Sequence, residues 1–344
     1  MARKKGGPLT VDVKVERTQH SEYGACVHIS NGTASIYVSL DYGPRILHYS
    51  LGEGPNVMFF NRDPEYVKKG GEFDRVFHPG AYWNIRGGNR LWVAPHSFPG
   101  AFYPDNEPVD FQTLGKGARF LPQPRRAPGV RLFTEVEFEN TSSRVRVRHV
   151  VQNISDRPIT IAAWSITSVE SGGIEILPQP GRQTDVLPNR RIVLWPYTNM
   201  ADPRLTWGSR YIALRHDSGR KEHLKIGINN EDGWACYVNQ GQCFLIEHHH
   251  DIAAEYPDFG VSYETFADDR MVEMETLSPL KLVQPGDSVG QEELWQLFAV
   301  EGHLDVDREE TLSAFVDSIF SNPMIVAPEG SYSGGSLGNP RGNS

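Results

Sequence analysis

Along most of the chain apolar and polar residues alternate with a period of two, the pattern of strands that bury one face. In RLFTEVEFENTSSRVRVRHVVQN, Leu132, Thr134, Val136 and Phe138 share one face, and beyond the NTSS turn Val145, Val147 and His149 share one face of the next strand. Pairing 139 with 144 sets Glu137 against Arg146 and Glu135 against Arg148, so the apolar faces coincide and the outer face carries opposite charges. Further strands are predicted in ASIYVSL, RPITIAAWSIT, SRYIALRH, HLKIGIN, WACYVNQ, QCFLIEHHH, VSYETF, MVEMETL and ELWQLFAV. Gly, Pro, Asn and Asp separate these runs, and almost no helical stripe lies between them. The expected fold is therefore all-β, a large antiparallel β-sandwich rather than a set of βαβ units.

One helical stripe stands out late in the chain. In DREETLSAFVDSIFS, Leu312, Phe315, Val316 and Ile319 fall on one side, with Asp307 as the expected cap and Glu310 three residues on. This short C-terminal helix is expected to pack against the sandwich. Residues 10–320 are expected to form one domain, with 325–344, rich in Gly, Ser and Pro, as a flexible tail. The proline-heavy stretch at 121–129 is a candidate join between an early lobe and the main hairpins.

Composition narrows the partners. The 344 residues are 39% hydrophobic and 22% charged, ordinary for a globular chain. A net charge of −9 with dispersed basic residues argues against a nucleic-acid partner. No apolar run is long enough for a membrane span, and the basic start lacks the apolar block of a secretory signal, so a cytoplasmic location is expected. Cys26, Cys236 and Cys243 have neither disulfide-scaffold density nor CxxC spacing and are expected to fill β cores.

The densest candidate chemistry lies in GAYWNIRGGNRLWVAPHSFPG, residues 80–100. Gly87 and Gly88 permit a tight turn or a close approach to a ligand. Arg86 and Arg90, with Asn89 between them, offer planar donors to hydroxyl, carboxylate or phosphate groups. Tyr82, Trp83, Trp92 and Phe98 could stack on the apolar face of a pyranose, and His78 and His96 flank the stretch. A sugar presents both C–H faces and many hydroxyls, which this mixture suits. The alternative is a glycine turn whose aromatics fill the core.

A second concentration, FLIEHHHDIAAEYPDFG, sets Glu247 beside His248, His249 and His250 and ends on a turn at Asp258. His248 and His250 could share one strand face and, with Glu247, are weak metal candidates; no metal and no cofactor is expected. Asp258 could bind a ligand hydroxyl or serve only the turn. Glu273 and Glu275, two apart in MVEMETL, share a face with Met271. No GxxxxGK[ST], strand-linked GxGxxG, HExxH or GxSxG motif is present.

The segment IRGGNRLWVAP resembles the glycine-containing arginine motif of the galactose-mutarotase-like superfamily, particularly its glucose-6-phosphate 1-epimerase branch. DYGPRILHYS, ENTSSRVRVRHVVQNISDRPITIAAWSIT and MVEMETLSPLKLVQPGDSVGQEELWQL follow in the order in which similar sections occur there. YPDFG with VEMETLSPL and PGDSVGQEELW looks like an uncharacterised branch, DUF4380. The resemblance implies a supersandwich fold and an arginine, here Arg86, that helps to hold a sugar. It also implies a glutamate base, here Glu275 or Glu273, and a histidine acid. The histidine–glycine motif of the sugar-phosphate branch is absent, since SFPG runs straight into AFYPDNEPVDF. The acid is therefore open among His96, His78 and the inward-facing His149. The expected activity is aldose 1-epimerase or mutarotase-type chemistry on a sugar, sugar acid or sugar phosphate. The alternatives are a uronate lyase-like enzyme and a non-catalytic carbohydrate-binding domain.

Overall fold

A computed structural model describes residues 13–321 apart from 126–128, 140 and 303. The tail expected at 325–344 lies outside the described residues. Two large antiparallel sheets, of eleven and ten strands among the described residues, face each other, and a two-stranded ribbon, Val67–Lys69 with Tyr82–Asn84, lies apart from both. The all-β sandwich is as expected. Strands from before and after residues 121–129 share each large sheet: Lys14–His20 lies in the sheet that also holds Met271–Leu277, and Gly117–Leu121 pairs with Val130–Phe138 in the other. The 121–129 stretch therefore does not separate an early lobe from later hairpins.

The central hairpin has the expected register, with Glu137 opposite Arg146 and Glu135 opposite Arg148. Its ion pairs are less local than the register implies. Glu135 meets both Arg148, at 3.3 Å, and Arg119 of the next strand, while Arg146 turns to Glu139 at 2.7 Å. Val136, Phe138, Val145 and Val147 face the opposing sheet, where they bury against a core that includes Val272, Met274 and Trp295. Cys26, Cys236 and Cys243 are buried thiols, the use expected for them.

Two carboxylates also lie in this interlayer core. Glu175, fully buried, accepts hydrogen bonds from the Tyr263 hydroxyl at 2.7 Å and the Thr265 hydroxyl at 2.5 Å. Glu293 accepts from Trp295 Nε1 at 2.7 Å and from the Thr276 hydroxyl at 2.5 Å. Neither meets a cation among the described residues, so desolvation dominates. Burial pushes Glu175 up to about 8 and raises Glu293 as well.

The late helix, Glu309–Phe320, buries Leu312, Val316 and Ile319 against Trp234, Cys236 and Leu245 of the ten-stranded sheet. Its start differs from expectation. Arg308 occupies the cap position without a side-chain cap, and Asp307 lies one residue outside. Glu309 ties the helix down instead, its carboxylate accepting from Ser209 and from the backbone amides of Arg210 and Tyr211. No helix of the described residues is long and apolar enough to cross a membrane, which says nothing of strands.

Candidate functional site

Five neighbouring strands of the larger sheet, Gly88–Ala94, Ile159–Glu170, Met271–Leu277, Tyr263–Ala267 and Leu224–Ile228, form the floor of a cavity on the face away from the opposing sheet. Alternation assigns the side chains. Val272 and Met274 enter the interlayer core, so Met271, Glu273, Glu275 and Leu277 take the other face. The same period turns Arg90 and Trp92, Trp164 and Ile166, Glu264 and Phe266, and Lys225 to that side. A ladder of antiparallel pairs, Arg90 with Ile166, Ile166 with Glu275 and Glu275 with Glu264, brings these positions together. The cavity holds about 380 Å³, and Trp83 of the ribbon with Phe102, Trp195 and Tyr197 from connecting segments wall it.

Two charge clusters occupy the floor. Arg90 Nη1 donates to Glu273 Oε1 at 2.9 Å, and the Ser168 hydroxyl donates to the same oxygen at 3.0 Å. The guanidinium lies against Trp92, 4.6 Å from the ring centroid. Glu273 Oε2 has no partner among the described residues. Beside this pair, Lys225 Nζ lies between two carboxylates, 2.7 Å from Glu264 and 2.9 Å from Glu275. Trp164 Nε1 donates to Glu275 Oε2 at 2.8 Å, so both oxygens of Glu275 are occupied.

Protonation follows from this crowding. Burial raises the Glu264 carboxyl well above the carboxylate range, and Lys225 offsets only part of it. Glu275 is raised by the same burial, with Lys225 again opposing. Burial alone would lower Lys225, but the two carboxylates outweigh it and hold the ammonium. One ammonium between two buried carboxylates is balanced when Glu264 keeps its proton.

His96 stands above Trp92 and Trp164, its ring 6.3 and 6.1 Å from theirs. Burial, then Lys225, lowers its imidazole from 6.5, with Asp258 pulling the other way. Asp258 reaches the cavity from a turn in which it and Phe259 both adopt left-handed backbone, φ 49° and 65°. Such strain persists only where the surroundings enforce it.

Of the residues singled out in the sequence, Glu273, Glu275, Arg90, Trp92, His96 and Asp258 converge on this cavity. Arg86 does not line it; its guanidinium lies 3.9 Å above the Tyr42 ring and donates to Asn106 at 3.1 Å. Asn89 faces the interlayer side, donating to Ser165 and Thr167. The glycine pair serves close backbone packing. A Cβ at Gly87 would lie 2.2 Å from the Phe59 carbonyl oxygen, and one at Gly88 2.2 Å from that of Ile46. His78 lies on an exposed turn, Tyr82 is 40% exposed on the ribbon, and Phe98 is 56% exposed, all outside the cavity's lining.

His149 belongs to the opposite sheet, fully buried beside Thr134, and burial lowers it to about 3. Glu247 pairs with Arg144, His248 is buried against Tyr263, and His250 bonds Ser262 beyond the strand's end at His248. The strand ends too soon to set both histidines on one face. Among the described residues no group of three His, Cys, Asp or Glu side chains is arranged to hold a metal ion. Lys225, Glu264 and Trp164 had passed as ordinary strand residues. Their signal is alternation: in HLKIGIN and VSYETF a charge sits between two neighbours that are both buried on the inner face, Leu224 and Ile226 in the first, Tyr263 and Thr265 in the second.

No family model matches the chain, so the narrower DUF4380 branch has no match behind it, and no curated protein matches it in sequence. Solved structures match in shape. A putative mutarotase, YeaD, from Salmonella typhimurium superposes with a TM-score of 0.53 at 10% identity, covering 83% of this chain and 94% of that one. A putative aldose 1-epimerase from Klebsiella pneumoniae gives 0.52 at 12%, covering 89% and 87%. A galactose mutarotase-like protein from Lactobacillus casei gives 0.51 at 8%, covering 79% and 100%. At such identities the likeness is one of fold, and the chain shares the fold of the galactose-mutarotase-like proteins.

Proposed function

We propose that the cavity binds a ring sugar and interconverts its anomers, the chemistry of a mutarotase-type enzyme. The observation that carries this is Glu273. One of its oxygens is held by Arg90 and Ser168, and the other is left for a ligand on the floor of an aromatic-walled cavity. A pyranose buries its C–H faces on tryptophan rings and needs fixed polar groups at its hydroxyls. Glu273 Oε2 takes the proton of the anomeric hydroxyl, the bond from the anomeric carbon to the ring oxygen opens, and protonated His96 supplies the ring oxygen. Closure on the other face returns both protons. Glu275 is the weaker base, because Lys225 and Trp164 already occupy its oxygens. The fold shared with aldose 1-epimerase-type proteins supports the same reading.

The test is NMR exchange spectroscopy on a panel of aldoses, uronic acids and sugar phosphates, with wild type and Glu273→Gln. Wild type should accelerate exchange of at least one sugar, and Glu273→Gln should lose about 10²-fold or more of that rate with affinity largely kept. Binding without exchange would make the cavity a carbohydrate-binding site. Undiminished exchange in Glu273→Gln would place the base elsewhere, and no sugar bound at all would overturn the proposal.

A further inference from the structure

A second cavity adjoins the first. It encloses about 540 Å³, with mostly apolar walls that include Phe77, Val93, Pro95 and Ile161. Trp92, His96 and Phe102 line the first cavity, whereas Val93, Pro95 and Ala101 line this one, so the chain from 92 to 102 is a shared partition.

Two guanidinium groups, from Arg125 and Arg157, also line this second cavity. Arg125 is only 7% exposed, and among the described residues its guanidinium has neither a carboxylate partner nor a hydrogen-bond acceptor. It rests on the Tyr103 ring, 4.7 Å from the centroid. Burial lowers Arg125 to about 10, with Asp105 pulling it back, so it keeps its charge at neutral pH. Asp105 is already engaged, its Oδ2 lying 2.5 Å from Arg45 Nη2. Asp105 thus pairs with Arg45 alone, and the two buried guanidiniums with one carboxylate leave the cluster net positive. Arg157, exposed, has no ion-pair partner among the described residues either.

An unpaired buried charge is destabilising unless something completes it. The backbone of Arg125 is secured without its side chain, since its N–H and C=O both bond Val130. We propose that this second cavity binds a small organic anion, with its carboxylate or phosphate headgroup on Arg125, Arg157 at the exposed end, and its apolar body against Phe77 and Ile161. The planar guanidinium fork matches either oxyanion, and the volume suits a ligand with a body rather than a bare ion. Nothing in this site depends on the sugar chemistry next door.

The experiment titrates the full chain with benzoate, phenyl phosphate and uncharged benzyl alcohol, followed by calorimetry and ligand-observed NMR at low salt. Wild type, Arg125→Met and Arg157→Met are compared. At least one anion should bind, with benzyl alcohol at least tenfold weaker, and Arg125→Met should lose tenfold or more in affinity while its melting temperature stays level or rises. Arg157→Met should lose severalfold. Preference for benzoate identifies a carboxylate ligand and preference for phenyl phosphate a phosphate ester. Equal binding of benzyl alcohol, full affinity in Arg125→Met, or no anion bound at millimolar concentration would overturn the site. A lower melting temperature in Arg125→Met would do so too, because it would give the arginine a structural role.

Discussion

Replacing Glu175 by glutamine should remove a large part of the protein's loss of stability with rising pH. The carboxyl is fully buried, accepts from two hydroxyls and meets no cation among the described residues, and burial pushes it up to about 8 from an ordinary 4.5. Between those values the native chain keeps a proton that the unfolded chain releases. Stability from this group is therefore complete below about 4.5 and falls as pH rises toward about 8. The slope is about 1.4 kcal/mol per pH unit, or roughly 4 kcal/mol between pH 5 and pH 8. Glutamine resembles the protonated acid in size and in carrying one acceptor and a donor, so the two proteins should differ by about 1 kcal/mol at pH 5. Glu264 and Glu293 are also raised by burial, but both proteins contain them, so subtracting one profile from the other isolates Glu175. Urea unfolding followed by tryptophan fluorescence at several pH values measures the difference. Parallel profiles for wild type and Glu175→Gln would refute the reasoning, because they would mean that Glu175 is already ionised in the native protein.

Lys225→Met should destabilise the protein by about 3–5 kcal/mol at neutral pH, since it leaves Glu264 and Glu275 facing each other without their ammonium, and acidification should recover much of that loss. In any such variant that folds, the alkaline limb of sugar exchange should shift upward, because Lys225 is one of the two causes that lower His96; an unmoved limb would exclude His96 as the acid. Wild-type exchange should for the same reason decline with a midpoint below 6.5 as pH rises, read from the pH dependence of kcat. Gly88→Ala should cost more than about 2 kcal/mol by chemical denaturation, since its φ is 63° and the added methyl would lie 2.2 Å from the Ile46 carbonyl oxygen.

The strands were legible because one face of each is buried, which writes a period of two into the chain, and the 139–144 register follows from coincident apolar faces and opposed charges. The same rule picked out Glu273 and Glu275 as neighbours. It failed where function depends on what lies across the sheet: Lys225 is 50 residues from Glu275 in sequence and becomes its partner only through strand order, while Glu264 faces Glu275 across one hairpin. Arg86 and Arg90 show the opposite difficulty. Both flank a glycine pair and look alike in sequence, but the turn at Gly87 and Gly88 sends the first onto Tyr42 and the second onto Glu273. His149 illustrates a third: an inward histidine on a clean alternating strand reads the same on either sheet, and only the sheet assignment separates it from the cavity. The cap at Asp307 was missed by one residue, because Glu309 engages the 209–211 segment, a tertiary contact that local pattern does not encode.

The strand Tyr263–Ala267 explains why core and site are linked. Tyr263 and Thr265 point inward and hold Glu175, while Glu264, between them, points outward to Lys225. A shift of this strand that improved one set of contacts would disturb the other, so the interlayer carboxyl helps to set where Lys225 and Glu275 stand. The charged floor is carried entirely by paired strands, whose register permits little adjustment. The aromatic walls and Asp258, by contrast, come largely from turns and connecting segments that tolerate change more readily. In such an arrangement the reaction type is held by the sheet and the choice of ligand by the segments that cover it. Substitutions at Trp195 or Tyr197 should therefore alter which sugar binds, whereas those at Arg90 or Glu273 should slow exchange for every sugar alike.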